Sequence, residues 1–458
     1  MKTNTKSLFC IFITMLFLST GEVKAIEQTR YNMNDITRPG SIIRHYDDGI
    51  DIVCYNNYNY PYFMIYKYGT ATTNELFLNP MDTVCDFEIY NDTVYFCGEG
   101  HIRSAGDAIV GYFAVTDLIN PNPSNVFYLT LPTMKTIKAI EVDWFASRKH
   151  VVGVGASIDS EGMMVDMIDN STFWTIHHAD VGGDTILLSD LAITLNNVVV
   201  TSTKNMAGQP NYGRLWYFVK PTSTGSSIFP CNVTFYDHDS NLEKKYRIRT
   251  LAGDLFVTAY SKMTLPITTK SFVVSYYNGT SCTERVKIDE VSSFFSSLGD
   301  ISYTWGRIVN LLVRGYYFED PILVPKSVIY ELNYSTLPAT VMAHVYDGVY
   351  FESLDFVKPF NLDEQHFVSS GFETNGSETP YYLKYHSLYF DGKCLGKMEK
   401  DVKQYVIDQY NGHDIISSTY TQQVPVVIVS DRKEMRIETP CTATTYPPVP
   451  EDENQPKK

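Results

Sequence analysis

Along this chain apolar and polar residues alternate in short runs broken by polar turns, and a 3.6-residue apolar period is rare. The stretch 86–100, DFEIYNDTVYFCGEG, shows the pattern: two runs rich in aromatic and β-branched residues flank Asn91-Asp92, with glycines behind them. Alternation of period two predicts strands, and the polar dipeptide between them predicts a hairpin. AIVGYFAV (108–115) and NVFYLTL (125–131) follow and complete a four-strand unit. The only candidate helices are short segments at 288–295 and 394–406, and the chain as a whole reads as β throughout.

The four-part rhythm recurs. First strands are expected to begin near Ile42, Phe87, Ile140, Leu191, Tyr246, Tyr303, Phe356 and Tyr405. Third strands carry Phe63, Ile109, Met164, Leu215, Phe272, Val328, Tyr382 and Val426. Both sets step by about 50 residues, as the blades of a propeller do. A lone four-stranded sheet with two apolar faces cannot hide both from water. Packing each unit between two neighbours hides both, at roughly 1.5–3 kcal/mol for each buried Val, Ile or Phe. The expected fold is therefore all-β, a single β-propeller of four-stranded antiparallel blades. Eight blades are favoured and seven with an N-terminal extension are the alternative. The seventh unit is expected to take its fourth strand near Cys394. A pair of β-sandwiches is the other rival, and it would make the regular step accidental.

The ends read differently. Residues 1–25 combine Lys2 and Lys6, an apolar run from Leu8 to Leu18 and Val23-Lys24-Ala25, the pattern of a cleaved signal peptide rather than of a membrane anchor. Residues 26–440 form the expected propeller domain. Residues 441–458, rich in Pro, Thr and charge, read as a disordered tail. Removing 1–25 takes away three lysines and one glutamate, leaving the exported chain two charges more acidic than the full chain's −15. So acidic a surface repels phosphate backbones, and nucleic acid is set aside as a partner. No later run is long and apolar enough for an integral membrane segment. The expected location is exported: periplasmic, surface-associated or secreted.

The seven cysteines after residue 25 are an odd number, and they are sparse for a chain of this size. None sits in a metal-binding spacing, and most read as small buried apolar residues.

The phrases DFEIYNDTVYFCGEG and DAIVGYFAV resemble those of secreted, uncharacterised β-propeller-like repeat proteins of gut Bacteroidetes. The resemblance covers most of the chain and rests on strand rhythm. It implies a periplasmic or surface location and carries no activity. It also implies that Asp82-Thr83-Val84, Asp92-Thr93-Val94 and Asp184-Thr185-Ile186 match an O-glycosylation pattern of that phylum.

Candidate chemistry is sparse. The chain has no Gly-x-Ser-x-Gly elbow, phosphate-cradling glycine loop or His-Glu-x-x-His pair, so no cofactor and no metal are expected. Asp237-His238-Asp239-Ser240-Asn241 spaces oxygen ligands like a calcium loop, but Leu242 stands where the glycine belongs, and a solvated turn is preferred. His177 and His178 are neighbours on a predicted strand and point to opposite faces, so they do not grip one ion. The loops from second to third strands, among them GEGHIRSAGD, TKNMAGQPNYG and YYFEDPILVPK, are long and varied. With the crossings between blades they share one rim, where a rigid scaffold places recognition. His101, Arg103, His178, Tyr212, Asp237, Tyr316, Tyr317 and Tyr381 are the expected ligand-binding residues. The function expected is a non-enzymatic, extracytoplasmic binding module for a glycan or a protein partner. The alternative is a polysaccharide-acting hydrolase or lyase, for which Asp237, Asp239, Glu319 and Asp320 are the candidate carboxylates.

Overall fold

The computed structural model describes residues 30–32, 41–46, 50–56, 61–67, 72–77, 83–102, 108–117, 127–131, 134–157, 162–169, 174–179, 185–205, 212–221, 233–240, 242–264, 269–289, 294–304, 307–319, 322–335, 339–357, 366–374, 378–387, 395–399, 417–420, 424–425, 429–434 and 436–438. All regular structure in them is strand. The proposed signal peptide and tail lie outside the described residues, as does Arg103. No described helix is long and apolar enough to cross a membrane.

The strands form small antiparallel sheets that follow one another along the chain. After β1 (Arg30–Asn32), the first sheet takes β2 (Ile42–Tyr46), β3 (Ile50–Asn56), β4 (Pro61–Lys67) and β5 (Thr72–Phe77). The second takes β6 (Thr83–Tyr90), β7 (Thr93–Ile102), β8 (Ala108–Asp117) and β9 (Phe127–Leu131). The third takes β10 (Met134–Phe145), β11 (Arg148–Ser157), β12 (Gly162–Ile168) and β13 (Trp174–Ala179). The fourth is β14 (Thr185–Ile193), β15 (Asn197–Asn205), β16 (Tyr212–Val219) and β17 (Val233–Ser240). The fifth is β18 (Leu242–Ala252), β19 (Leu255–Thr264), β20 (Thr269–Asn278) and β21 (Ser281–Asp289). The sixth takes β22 (Phe294–Thr304), β23 (Ile308–Glu319), β24 (Ile322–Asn333) and β25 (Thr340–Asp347). The seventh has β26 (Val349–Val357), β27 (His366–Thr374) and β28 (Glu378–Ser387), and its fourth place is filled by β1 from the other end of the chain. Arg30 and Tyr31 lie opposite Lys384 and Leu383.

The last stretch of chain departs from the expected eighth unit. The strands β29 (Leu395–Glu399), β30 (Ser417–Tyr420), β31 (Val424–Pro425), β32 (Val429–Glu434) and β33 (Arg436–Glu438) share no sheet with one another. Each adds a fifth strand to a different sheet: the sixth, third, second, first and seventh in turn. An unpaired outer edge is a ready template for another strand, and these short segments occupy five of them. The strand expected near Cys394 accordingly pairs with β25, not with β28.

Three further expectations are corrected. At 288–295 the described residues are strand rather than helix: Ile288 and Asp289 end β21, and Phe294 and Phe295 open β22. Within the segment 394–406, residues 395–399 are strand. The first strands of the sixth and seventh sheets begin at Phe294 and Val349, earlier than expected. Each contains a register shift, between Leu298 and Asp300 and between Phe351 and Ser353. A bulge breaks the period of two, so the sequence looked strand-like only beyond it. The hairpin Asn91-Asp92 is present as expected, with φ of 46° and 58°.

Both faces of the inner sheets are apolar and buried. Phe96 and Ala114 pack toward the first sheet with Ile52 and Cys54, whereas their neighbours Cys97 and Phe113 pack toward the third with Ile137 and Met163. Comparable clusters join the third to the fourth, fourth to fifth, fifth to sixth and sixth to seventh sheets. Two glycines permit close approach here. A Cβ on Gly98 would lie 1.7 Å from the Thr83 carbonyl oxygen, and one on Gly155 2.0 Å from that of Thr136.

The first strands lie side by side. Each of β2, β6, β10, β14, β18, β22 and β26 touches the next, and β26 also touches β2. Side chains on these strands bind the neighbouring backbone. Asp86 accepts from the Phe87 amide beside it and, through Oδ2, from the Ile140 amide of the next sheet at 3.2 Å. Asp190 accepts from Leu191 and from Ile248 at 3.1 Å each. Asp355 accepts from Phe356 and from the His45 amide at 2.8 Å, and the Ile43 amide donates to Ser353 Oγ at 3.1 Å. These last contacts join the seventh sheet to the first.

Candidate functional site

Among the first strands is a cavity of about 200 Å³, lined by residues of the first, second, fifth, sixth and seventh sheets. Its walls carry the guanidinium groups of Arg44, Arg247, Arg249 and Arg314 and the carboxylates of Asp86, Asp300 and Glu352. Its lining runs from Val84, near the start of β6, to Gly299 and Asp300 in mid-β22 and Arg249 in the later half of β18. The connections between second and third strands leave beside the starts of the first strands, because Thr83 at the start of β6 pairs with Glu99 near the end of β7.

The bulges put charge here. The bulged residues Cys85 and Gly299 line the cavity, and the Asp that follows each turns its carboxylate to a neighbouring first strand, Asp86 to Ile140 on β10 and Asp300 to Arg249 on β18. Arg44 Nη2 donates to Asp86 Oδ1 at 2.9 Å, with its guanidinium over the Phe87 ring. Arg249 bridges two sheets, reaching Asp190 Oδ2 at 3.4 Å and Asp300 Oδ1 at 3.2 Å. Arg314 donates to the Phe351 carbonyl at 2.9 Å and to that of Glu352, and pairs with the Glu352 carboxylate at 3.3 Å. Arg247 differs: its nearest carboxylate oxygens, on Asp190 and Asp300, are at 3.7 and 4.0 Å, beyond hydrogen-bond reach.

Proton affinities follow from the competition between burial and charge. At Asp300 burial alone would raise the pKa, but Arg249, Arg247 and Arg44 outweigh it and hold it below the ordinary value. Burial wins at Asp190 and Asp355, whose pKa values are raised despite arginine neighbours. The Arg249 guanidinium, opposed by burial but surrounded by Asp300, Asp190 and Asp86, is held more firmly protonated. Glu88 is half-buried, yet its removal from water pushes its pKa up to about 7 against the pull of Arg44. Glu141 is raised further, by burial and by Glu88.

The residues expected at the rim are spread over several strands. His101 is near the end of β7, His178 is on β13 opposite Met163, and Tyr212 opens β16 opposite Lys204. Asp237 lies within β17 opposite Arg214, not in a turn, and Tyr381 lies on β28 opposite Gly371. Tyr316 and Tyr317 are also strand residues: Tyr316, Tyr317 and Phe318 pair with Pro325, Val324 and Leu323, so most of the expected loop YYFEDPILVPK is hairpin. Of the expected residues, Tyr316 comes nearest to the cavity wall by its described contacts. It stacks on Tyr350 with ring centroids 5.3 Å apart, and the Arg314 guanidinium covers Tyr350 at 5.3 Å.

The charged residues of the first strands were not among the expected ones. Their signal was present: an Asp directly before a large apolar residue recurs in four units, at Asp86-Phe87, Asp190-Leu191, Asp300-Ile301 and Asp355-Phe356. Among the described residues there is no cluster of His, Cys, Asp and Glu suited to a metal ion. Cys54, Cys85, Cys97 and Cys282 are free thiols, and Cys54 and Cys97 are buried as expected of small apolar residues.

The chain matches no protein-family model, and no curated protein is significantly similar to it.

Proposed function

We propose that this protein is an exported, non-enzymatic binding module built as a seven-bladed propeller, which takes a glycan or protein partner at the end where the charged cavity lies. The contact of β26 with β2, reinforced by Asp355 to His45 and Ser353 to Ile43, supports closing the row of first strands into a ring. Insertion of β1 beside β28 supports the same reading, since it locks the two ends of the repeat region into one sheet. The observation that carries the binding role is the cavity itself, a concave space on which charged groups of several sheets converge, since convergent polar groups are what fix a ligand in its site. The apolar, Lys-flanked start of the sequence supports export.

Screening the purified protein against a glycan array tests the reading, alongside incubation with polysaccharides and detection of new reducing ends. Binding without turnover is expected. Release of new reducing ends would establish glycan cleavage in place of binding.

A further inference from the structure

The cavity's donors and acceptors are unequally used. Its aspartates are occupied: Asp86 takes the Phe87 and Ile140 amides and Arg44, and Asp300 takes the Ile301 amide and Arg249. Arg247 is left over. It makes no hydrogen bond to any described group, its Nε is buried without an acceptor, and its side chain keeps 29% of its surface exposed in the cavity wall. Arg314 is partly in the same state, with Nε buried and unpartnered although its other nitrogens are bonded. The surface that Arg247 keeps open lies beyond its sealed Nε, so a ligand in the cavity would meet the outer part of a guanidinium that makes no hydrogen bond within the protein.

We infer that the cavity binds a small carboxylate anion, anchored by Arg247. A guanidinium presents two parallel N–H groups that match the two oxygens of a carboxylate. A single charge also suits the surroundings, because Asp86, Asp300 and Glu352 in the same walls oppose a second one and so disfavour a phosphate dianion. The volume of about 200 Å³ has room for a group of monosaccharide size, and the Tyr316–Tyr350 stack next to Arg314 offers a flat apolar face beyond it. This deepens the proposed function by selecting acidic glycans: the carboxylate is that of a sugar acid.

Isothermal titration of the purified protein with sodium D-glucuronate, D-glucose, sodium acetate and inorganic phosphate tests the inference. Glucuronate is expected to bind, acetate more weakly, and glucose not at all. Arg247→Gln is expected to weaken glucuronate at least about tenfold, the loss of one charge-assisted pair. Arg247→Lys should keep part of the affinity. Arg247→Lys, which keeps a positive charge beside Asp190 and Asp300, should leave the thermal midpoint almost unchanged, whereas Arg247→Gln should lower it modestly while the protein stays folded. Binding of glucose equal to glucuronate, preference for phosphate, silence with both carboxylates, or full affinity in Arg247→Gln would each overturn the inference. Neutral glycans bound on the array would in that case leave the binding-module reading standing. Glucuronate bound in solution with an empty array would do the reverse.

Discussion

The two ends of the first strands are built on different principles. At the turn end, neighbouring sheets are stitched by exposed polar contacts. Tyr46 Oη donates to Asp92 at 2.8 Å, the Trp144 indole to Tyr90 Oη, and the Asn196 backbone amide (at 3.0 Å) and side-chain Nδ2 both donate to Asp254. At the cavity end the links are buried carboxylates that hold backbone amides of the next sheet, with arginines closing the charge. Exposed links can exchange for water and so hold weakly, whereas buried ones cannot be abandoned without leaving a charge or an amide unpaired. The cavity end therefore carries more of the stability per contact, and it is also where a ligand meets unspent donors.

The largest effect that would sharpen this contrast is Asp190→Ala. It strips the Ile248 and Leu191 amides and Arg249 of an acceptor at a site 1% exposed. A loss of about 3–5 kcal/mol is expected in chemical denaturation, as for one partner of a buried pair. Gly98→Ala should come next, because its Cβ meets a backbone oxygen that no rotamer change can move; a cost of about 3 kcal/mol or more is expected in the same assay. At the turn end, Asn196→Ala, which removes the exposed Nδ2 bond to Asp254 and leaves the backbone one, is expected to cost about 0.5 kcal/mol or less. A turn-end variant as damaging as Asp190→Ala would break the comparison.

A smaller effect depends on pH. The Glu88 carboxyl binds its proton more tightly folded, at about 7, than unfolded, near the ordinary 4.5. The folded state then holds more protons between those values, so stability falls as pH rises from about 4.5 and levels off above about 7. Glu88→Gln is expected to shrink that fall and to gain on the order of 1 kcal/mol at pH 8, read from denaturation midpoints at several pH values. A variant whose pH profile matches that of the original protein would contradict the placing of Glu88.

Much of the strand pattern was legible, because alternation is local: Val94, Phe96 and their neighbours Tyr95 and Cys97 announce a strand buried on two sides. What escaped was non-local or irregular. Nothing in Arg30-Tyr31-Asn32 shows that these three residues pair with Lys384 and Leu383. The runs at 417–438 look like a further unit, yet they spread over four sheets because open edges elsewhere take them singly. The cavity was hidden for a related reason. Asp300 and Asp355 read as loop residues, since a bulge interrupts the alternation and a buried acid is recognisable only once its amide partners are in place.

The central claim is that the repeat region closes on itself, with β1 held beside β28 and the seventh sheet beside the first. Cysteines at Tyr31 and Leu383, which lie directly opposite each other, test it most directly, since facing antiparallel residues fall within disulfide reach. After mild oxidation and proteolysis, mass spectrometry should find the two peptides joined in the variant Tyr31→Cys with Leu383→Cys. Recovery of both as free thiols from folded protein, or of the Tyr31→Cys peptide joined to another cysteine, would contradict closure.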